Sequence, residues 1–275
     1  MTDEYQLLAR PPNNKALPVA VIAGIIVLAV GGWYWYSHRG PEIKAPAETT
    51  ATVAPVSAPE ARIEHPVPGG AAASRAPLPA LDDSDKAVVD ALSQAAGGAA
   101  LSLYLVPDSI IRHFVATVDN LPRQRVAADK RPVTPAPGSF IANGDELHAT
   151  LDAQNFQRYV PMVDVLRKLD MQRLAAVYLR FYPLFQAAYQ NLGYPDGYFN
   201  DRLVKVIDLL LATPQISGPI DLVRPNVMYV FSDPSLESRP AGQKVLIRIG
   251  PDNAAVVKAK LAEFRAIITA APPKR

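Results

Sequence analysis

Apolar residues are distributed along this chain in three regimes. From Leu17 to Tyr36 they run without a single charge, and the run closes on Trp33, Tyr34, Trp35 and Tyr36. As a helix rising about 1.5 Å per residue, it crosses the roughly 30 Å hydrocarbon core of a bilayer. Its four rings suit the headgroup boundary. No polar stripe breaks the run, which argues against a helix packed on a soluble core. A cleaved signal peptide would have a shorter apolar stretch ending in small residues. Only Ala29-Val30-Gly31 offers that pattern, and bulky rings follow it. The pattern predicts an uncleaved transmembrane helix over 17–36, behind a tail over 1–16.

Residues 37–80 form the second regime. Pro and Ala dominate, and no aromatic residue occurs between 41 and 80. Such a composition buries too little apolar surface to offset ordering entropy, so it predicts a disordered linker. Extended as polyproline II, forty residues would reach on the order of 120 Å.

The third regime, 81–271, has helical periodicity almost throughout. An acidic start at Asp82, Asp83, Ser84 and Asp85 precedes KAVVDALSQAAG; helix capping explains these residues, with a calcium loop as the alternative reading. Asp108 is placed to cap SIIRHFVATVDNL, whose Ile110, Ile111, Phe114, Val115 and Val118 share a face. Residues 122–150, rich in Pro and turn signals, read as irregular with one short strand. Asp152 caps a helix that Pro161 kinks. Asp170 caps another, bent or divided at Pro183. Asn200 caps DRLVKVIDLLLATP, and Val227 to Phe231 is the best strand candidate. A short helix to Arg248 and a last one from Pro251 to about Ala270 complete a mainly α, multi-helix domain with a minor β element.

Charge alters this picture little. From Leu81 onward there are 22 Lys plus Arg against 20 Asp plus Glu. That near balance argues against a nucleic-acid surface. Arg10 and Lys15 precede the membrane run and Arg39 and Lys44 follow it, nearly a tie for orientation. The long stalk tips the balance toward a cytoplasmic N-terminus and a domain held in the periplasm away from a bacterial inner membrane. The absence of cysteine fits that compartment without requiring it.

Candidate chemistry is sparse. The chain has no metalloprotease helix, nucleophile elbow, phosphate-binding glycine loop or cysteine nucleophile. Asp145, Glu146 and His148 raise a metal reading, set against a plain surface turn. His113 borders an apolar helix face, which favours packing over catalysis. Glu146, Glu237 and Glu263 read as exposed, so no glycosidase-like carboxylate pair can be picked out. No metal site and no cofactor is predicted.

Two polar clusters stand out. In Asp119-Asn120-Leu121-Pro122-Arg123 a helix end meets a basic loop, so Asn120 and Arg123 could meet an anionic or glycan ligand, or could simply satisfy the helix terminus. The second runs from Tyr189 through Tyr194 to Asn200, Asp201 and Arg202. Rings beside Asn, Asp and Arg suit a sugar or peptide cleft, and equally a tight corner between two helices.

The phrases VDNLPR, NFQRYVPMV, YPLFQAAYQNLGYPDGYFNDRL, LLATP, FSDPSLE and GQKVLIRIGPDNA, in that order, resemble a family of bacterial single-pass membrane proteins catalogued as a domain of unknown function. The resemblance covers roughly Pro79 to Arg265. It implies one membrane helix, a variable Pro/Ala-rich linker and this domain, and it carries no activity, ligand or catalytic residue. The expectation is a non-enzymatic envelope protein that binds another envelope protein or a cell-wall component. The alternative is an enzyme acting on glycan or peptide through Asp119, Asp201 or Arg202.

Overall fold

In the computed structural model, the described residues are 62–68, 77–97, 100–125, 131–145 and 148–270. The expected membrane run over 17–36 lies outside them. Among the described residues no helix is long and apolar enough to cross a membrane.

Helix α1 spans Asp85–Ala95 and α2 spans Ile110–Asn120, each with one apolar face. The start of α2 differs from the sequence expectation. Its N-terminal flank, Ser109, has a positive φ of 48°, and Asp108 makes no cap. Instead Asp85, from α1, accepts hydrogen bonds from the N–H groups of Ser109 (2.7 Å) and Ile110 (2.9 Å). A remote carboxylate thus satisfies donors that a helix start leaves free.

The stretch read as irregular holds a hairpin. Strands β1 (Ala142–Gly144) and β2 (Ala149–Leu151) pair antiparallel, with Ala142 opposite Leu151. The helix expected after Asp152 is divided in two. A short α3 (Gln154–Gln157) ends at Arg158, and α4 (Val160–Lys168) begins with Pro161 in its first turn. There the missing N–H costs nothing.

Asp170 caps α5 as expected, accepting from Gln172 N (2.8 Å) and Arg173 N (3.2 Å). Contrary to expectation, α5 runs unbroken through Pro183, from Met171 to Asn191. Pro183 itself is exposed, so its ring displaces no core side chain. Phe181, Tyr182, Leu184 and Phe185, all buried, hold both halves against the core.

Helix α6 (Phe199–Leu211) starts one residue before Asn200, which is therefore not its cap but a fully buried first-turn residue. Strands β3 (Asp221–Val223) and β4 (Val230–Phe231) extend the sheet antiparallel in the order β1-β2-β3-β4. The strand expected over 227–231 is shorter, because Val227 and Met228 are exposed in the connecting turn. Helices α7 (Pro234–Glu237), α8 (Ala241–Arg248) and α9 (Pro251–Ile268) follow. The fold is mainly helical with a small antiparallel sheet.

The main core lies around α5, which packs against α1, α2, α6 and α9. An aromatic chain runs through it: Phe114 meets Phe185 edge-on at 5.5 Å, and Phe185 stacks on Phe199 at 6.0 Å. A smaller core joins the inner sheet face, including Leu151, Leu222 and Phe231, to Leu236 and Ile247.

One finding moves the start of the domain. Residues 62–68, which composition assigns to the linker, form a strap along the start of α6. Asp201 accepts from the N–H groups of Glu64 (3.0 Å) and His65 (2.6 Å), and Tyr198 Oη from that of Val67 (3.1 Å). Val67 is itself buried in the main core. Composition averaged over forty residues cannot register a seven-residue segment with one anchoring side chain.

Candidate functional site

The helical corner that the sequence singles out proves to be two separate arrangements. In the first, the end of α2 and the α5–α6 turn converge on Asp119. Its carboxylate is 2% exposed, and one oxygen accepts from Arg123 Nη2 and, at 3.3 Å, from Tyr194 Oη. Arg202 reaches in from α6, its Nη2 donating to the Asp119 carbonyl at 2.8 Å and standing 3.0 Å from Oδ1. That second contact is an ion pair without hydrogen-bond alignment. Asp119 Oδ1 and Arg202 Nε accordingly have no hydrogen-bond partner among the described residues.

Tyr194 stacks on Tyr189 at 4.7 Å. The hydrogen bond to Asp119, reinforced by its charge, holds the Arg123 guanidinium above its usual range. Burial pushes the Tyr189 phenol up, with the positive charge of Arg202 opposing. Asn120 stands apart from this cluster. Its Nδ2 donates back to the Ala116 carbonyl at 2.7 Å and closes the helix end.

The second arrangement is built on Asn200 and Asp201. Asn200 accepts from Tyr178 Oη (2.9 Å) and donates to the carbonyls of His65 (2.8 Å) and Ile268 (3.4 Å). It ties the strap, α5 and the end of α9 to one amide. Burial pushes the Tyr178 phenol well up, and the nearby Tyr198 adds to this. Asp201 is occupied by the strap. Of the expected site residues, then, Arg123, Tyr189, Tyr194 and Arg202 come together around Asp119; Asn200 and Asp201 face the strap.

The metal reading falls on residues only partly described, since Glu146 lies outside them. Asp145 and His148 are both exposed, with 3.6 Å between Oδ1 and Nδ1. Among the described residues no cluster of three His, Cys, Asp or Glu could hold a metal. His113 is half-buried on α2, its Nδ1 without a hydrogen bond.

Three cavities among the described residues bear on a ligand. One of about 760 Å³ lies between the 213–220 segment, β2 and the α8–α9 corner. A shallow one of about 460 Å³ lies beside the Glu237–Lys244 ion pair (2.7 Å). The third, about 400 Å³, is bounded by α1, α2, α4, α5, α6 and α9 and is partly open to solvent. None of Asn120, Arg123, Tyr189, Tyr194, Asn200, Asp201 or Arg202 lines any of these three.

The third cavity is lined by residues of apolar helix faces. Leu174, Val177, Tyr178 and Phe181 share one face of α5, which borders this cavity as well as the packed core. Periodicity reports that a face is apolar. It carries no signal for whether the facing side chains meet.

Fold and site together define a helical domain with a minor sheet, an internally paired polar corner and an apolar chamber. The chain belongs to the DUF3014 family, described as a protein of unknown function, whose model matches residues 110–265. No curated protein and no solved structure matches it.

Proposed function

We propose that this is a single-pass protein of the bacterial inner membrane that holds a binding domain in the periplasm and performs no catalysis. Residues 17–36 are the anchor, and the N-terminus is cytoplasmic. One observation carries the non-enzymatic reading: the carboxylates best suited to chemistry are already engaged within the fold. Asp119 is buried against Arg123, Arg202 and Tyr194, and Asp201 holds the backbone of Glu64 and His65. A general acid or base needs an open path to substrate and a poised proton. These groups instead have structural partners.

The strap shortens the tether. The 25 residues from 37 to 61 would span at most about 90 Å fully extended, at up to ~3.6 Å each. The partner, an envelope protein or cell-wall component, would be met within that radius.

The test has two arms. Alkaline phosphatase fused after Arg275 reports sidedness, and activity in intact cells is expected; an inactive fusion overturns the orientation. Crosslinked co-purification then compares the full chain with the same anchor and tether carrying an inert domain. A partner retained only by the full chain supports binding. Turnover of a glycan or peptide that is lost in Asp119→Asn at unchanged melting temperature would overturn the non-enzymatic reading.

A further inference from the structure

We infer that the third cavity takes one acyl chain of a membrane lipid. The cavity holds about 400 Å³, and its wall is drawn from Val88, Phe114, Leu174, Val177, Leu261 and their neighbours. Only two lining residues, Tyr178 and Lys260, carry polar side-chain atoms. Both direct them elsewhere: Tyr178 Oη donates to Asn200 at 2.9 Å, and Lys260 Nζ donates to the Leu169 carbonyl at 2.8 Å. What faces the void is hydrocarbon.

Neither vacuum nor water fills such a space comfortably. Protein interiors hold few voids larger than a water molecule. Left unfilled, this space keeps apolar wall against water and denies its lining the contacts of packed neighbours. Water entering it finds almost no polar partner on those walls. An apolar occupant resolves both problems.

Size then selects the occupant. An engineered cavity of roughly 150 Å³ lined by Leu, Ile and Phe takes the six carbons of benzene. The same packing in about 400 Å³ accommodates on the order of 16 carbons, the length of a common acyl chain. An outer clip closes one side of the chamber. Leu105 pairs with Val133 across an antiparallel bridge, with Val106 N to Pro132 O and Thr134 N to Tyr104 O both at 2.9 Å. Both Leu105 and Val133 belong to the lining. The lipid source rests on the membrane-anchored reading above, since a tether near a bilayer keeps the chamber within reach of chains.

The experiment uses the full chain reconstituted in vesicles of phosphatidylethanolamine and phosphatidylglycerol. A phospholipid with a diazirine near the end of one acyl chain is included as the probe. After illumination, adducts are mapped by peptide mass spectrometry. Adducts are expected on the peptides carrying Leu174–Phe181 and Val257–Phe264. Adducts confined to residues 17–36 overturn the proposal.

Filling the chamber with Val177→Trp is expected to cut cavity adducts at least tenfold with the melting temperature held or raised. Should that variant fail to fold, competition on the native chain decides. Unlabelled fatty acids of increasing length should compete about fourfold better per added methylene, up to roughly 16 carbons. A flat length dependence overturns the proposal. Labelling by a free diazirine fatty acid but never by the phospholipid overturns the membrane-lipid source. Alkaline carbonate extraction of the same membranes separates the two readings. Release of the chain defeats the anchor, whereas unlabelled cavity peptides on a retained chain defeat the chamber.

Discussion

Replacing Asp201 with Ala should release the strap while leaving the helical core folded. Five contacts hold residues 62–68: the two backbone hydrogen bonds to Asp201, the one to Tyr198, the His65 carbonyl on Asn200, and the buried side chain of Val67. The Lys205–Glu64 pair, at 3.2 Å with both partners more than half exposed, adds little. Hydrogen bonds to a charged group contribute about 1.5–3 kcal/mol when buried. The Glu64 bond is exposed and the His65 bond part-buried, so about 1 kcal/mol each is appropriate. The variant therefore loses about 2 kcal/mol of local stability, a roughly thirtyfold rise in strap opening. Peptide-resolved hydrogen exchange on the full chain reads this directly. Amides of Glu64, His65 and Val67 should exchange about thirtyfold faster, with α5 protection unchanged. Asn200→Ala should behave differently: it strands the Tyr178 hydroxyl in the core, so the tyrosine near-UV signal melts at lower temperature as well. Unchanged strap exchange in Asp201→Ala would refute the reasoning, and would leave Asp201 only its favourable place at the positive end of α6.

Asp85→Ala should destabilise the domain by about 1–2 kcal/mol in urea unfolding, because it uncaps α2; Asp108→Ala should change nothing, and equal effects would contradict the remote cap. Gly250 has a φ of +88°, and an added Cβ would sit 2.5 Å from Phe156 Cγ, so Gly250→Ala should cost about 3 kcal/mol or more. Gly193→Ala, at φ +112° with open space around it, should cost only the backbone strain, about 1–2 kcal/mol; a larger loss at Gly193 would invert the argument. Burial alone would raise the Glu237 carboxyl, but hydrogen bonds from Lys244 and Phe231 N, with the charges of Lys244 and Arg248, hold it below its ordinary value. A depressed carboxylate stabilises above its unfolded pKa of about 4.3 and ceases to as pH falls through the lower folded value. The melting-temperature gap between wild type and Glu237→Gln should therefore be largest at neutral pH and shrink as the solution is acidified below the ordinary carboxylate range; a pH-independent gap would refute the pairing.

Local signals of helix and turn carried most of the fold. Asp170 caps α5, Gly250 with Pro251 separates α8 from α9, and the apolar faces of α2, α5 and α6 all turn inward. What escaped was set by partners distant in sequence. The Asp85 cap on α2 joins residues 24 and 25 apart. The strap bonds to Asp201 join residues 136 and 137 apart. Pro183 breaks a helix by local rules, yet packing on both sides of it overrides them. The sheet is a similar case: β4 has only two residues, and its register depends on Leu222 and Val223 opposite rather than on its own composition.

The site was legible in a more instructive way. Asp119, Arg123, Tyr194 and Arg202 drew notice because polar and aromatic residues crowd a helical corner, and the structure does bring them together. The same crowding is what a buried carboxylate requires for its own neutralisation, so residue type alone could not separate a cleft from a brace. The distinction lies in access: Asp119 is 2% exposed and lines none of the three cavities. The apolar chamber presents the converse. Its lining is indistinguishable in sequence from a packed core, since Val177 and Leu261 satisfy the same 3.6-residue period whether they touch a neighbour or border a void. A binding site made of hydrocarbon leaves no motif, because its specificity is volume and shape rather than hydrogen-bonding groups. With Asp119 and Asp201 engaged inside the fold, an apolar space of this kind is a feature that a ligand can fill by shape alone.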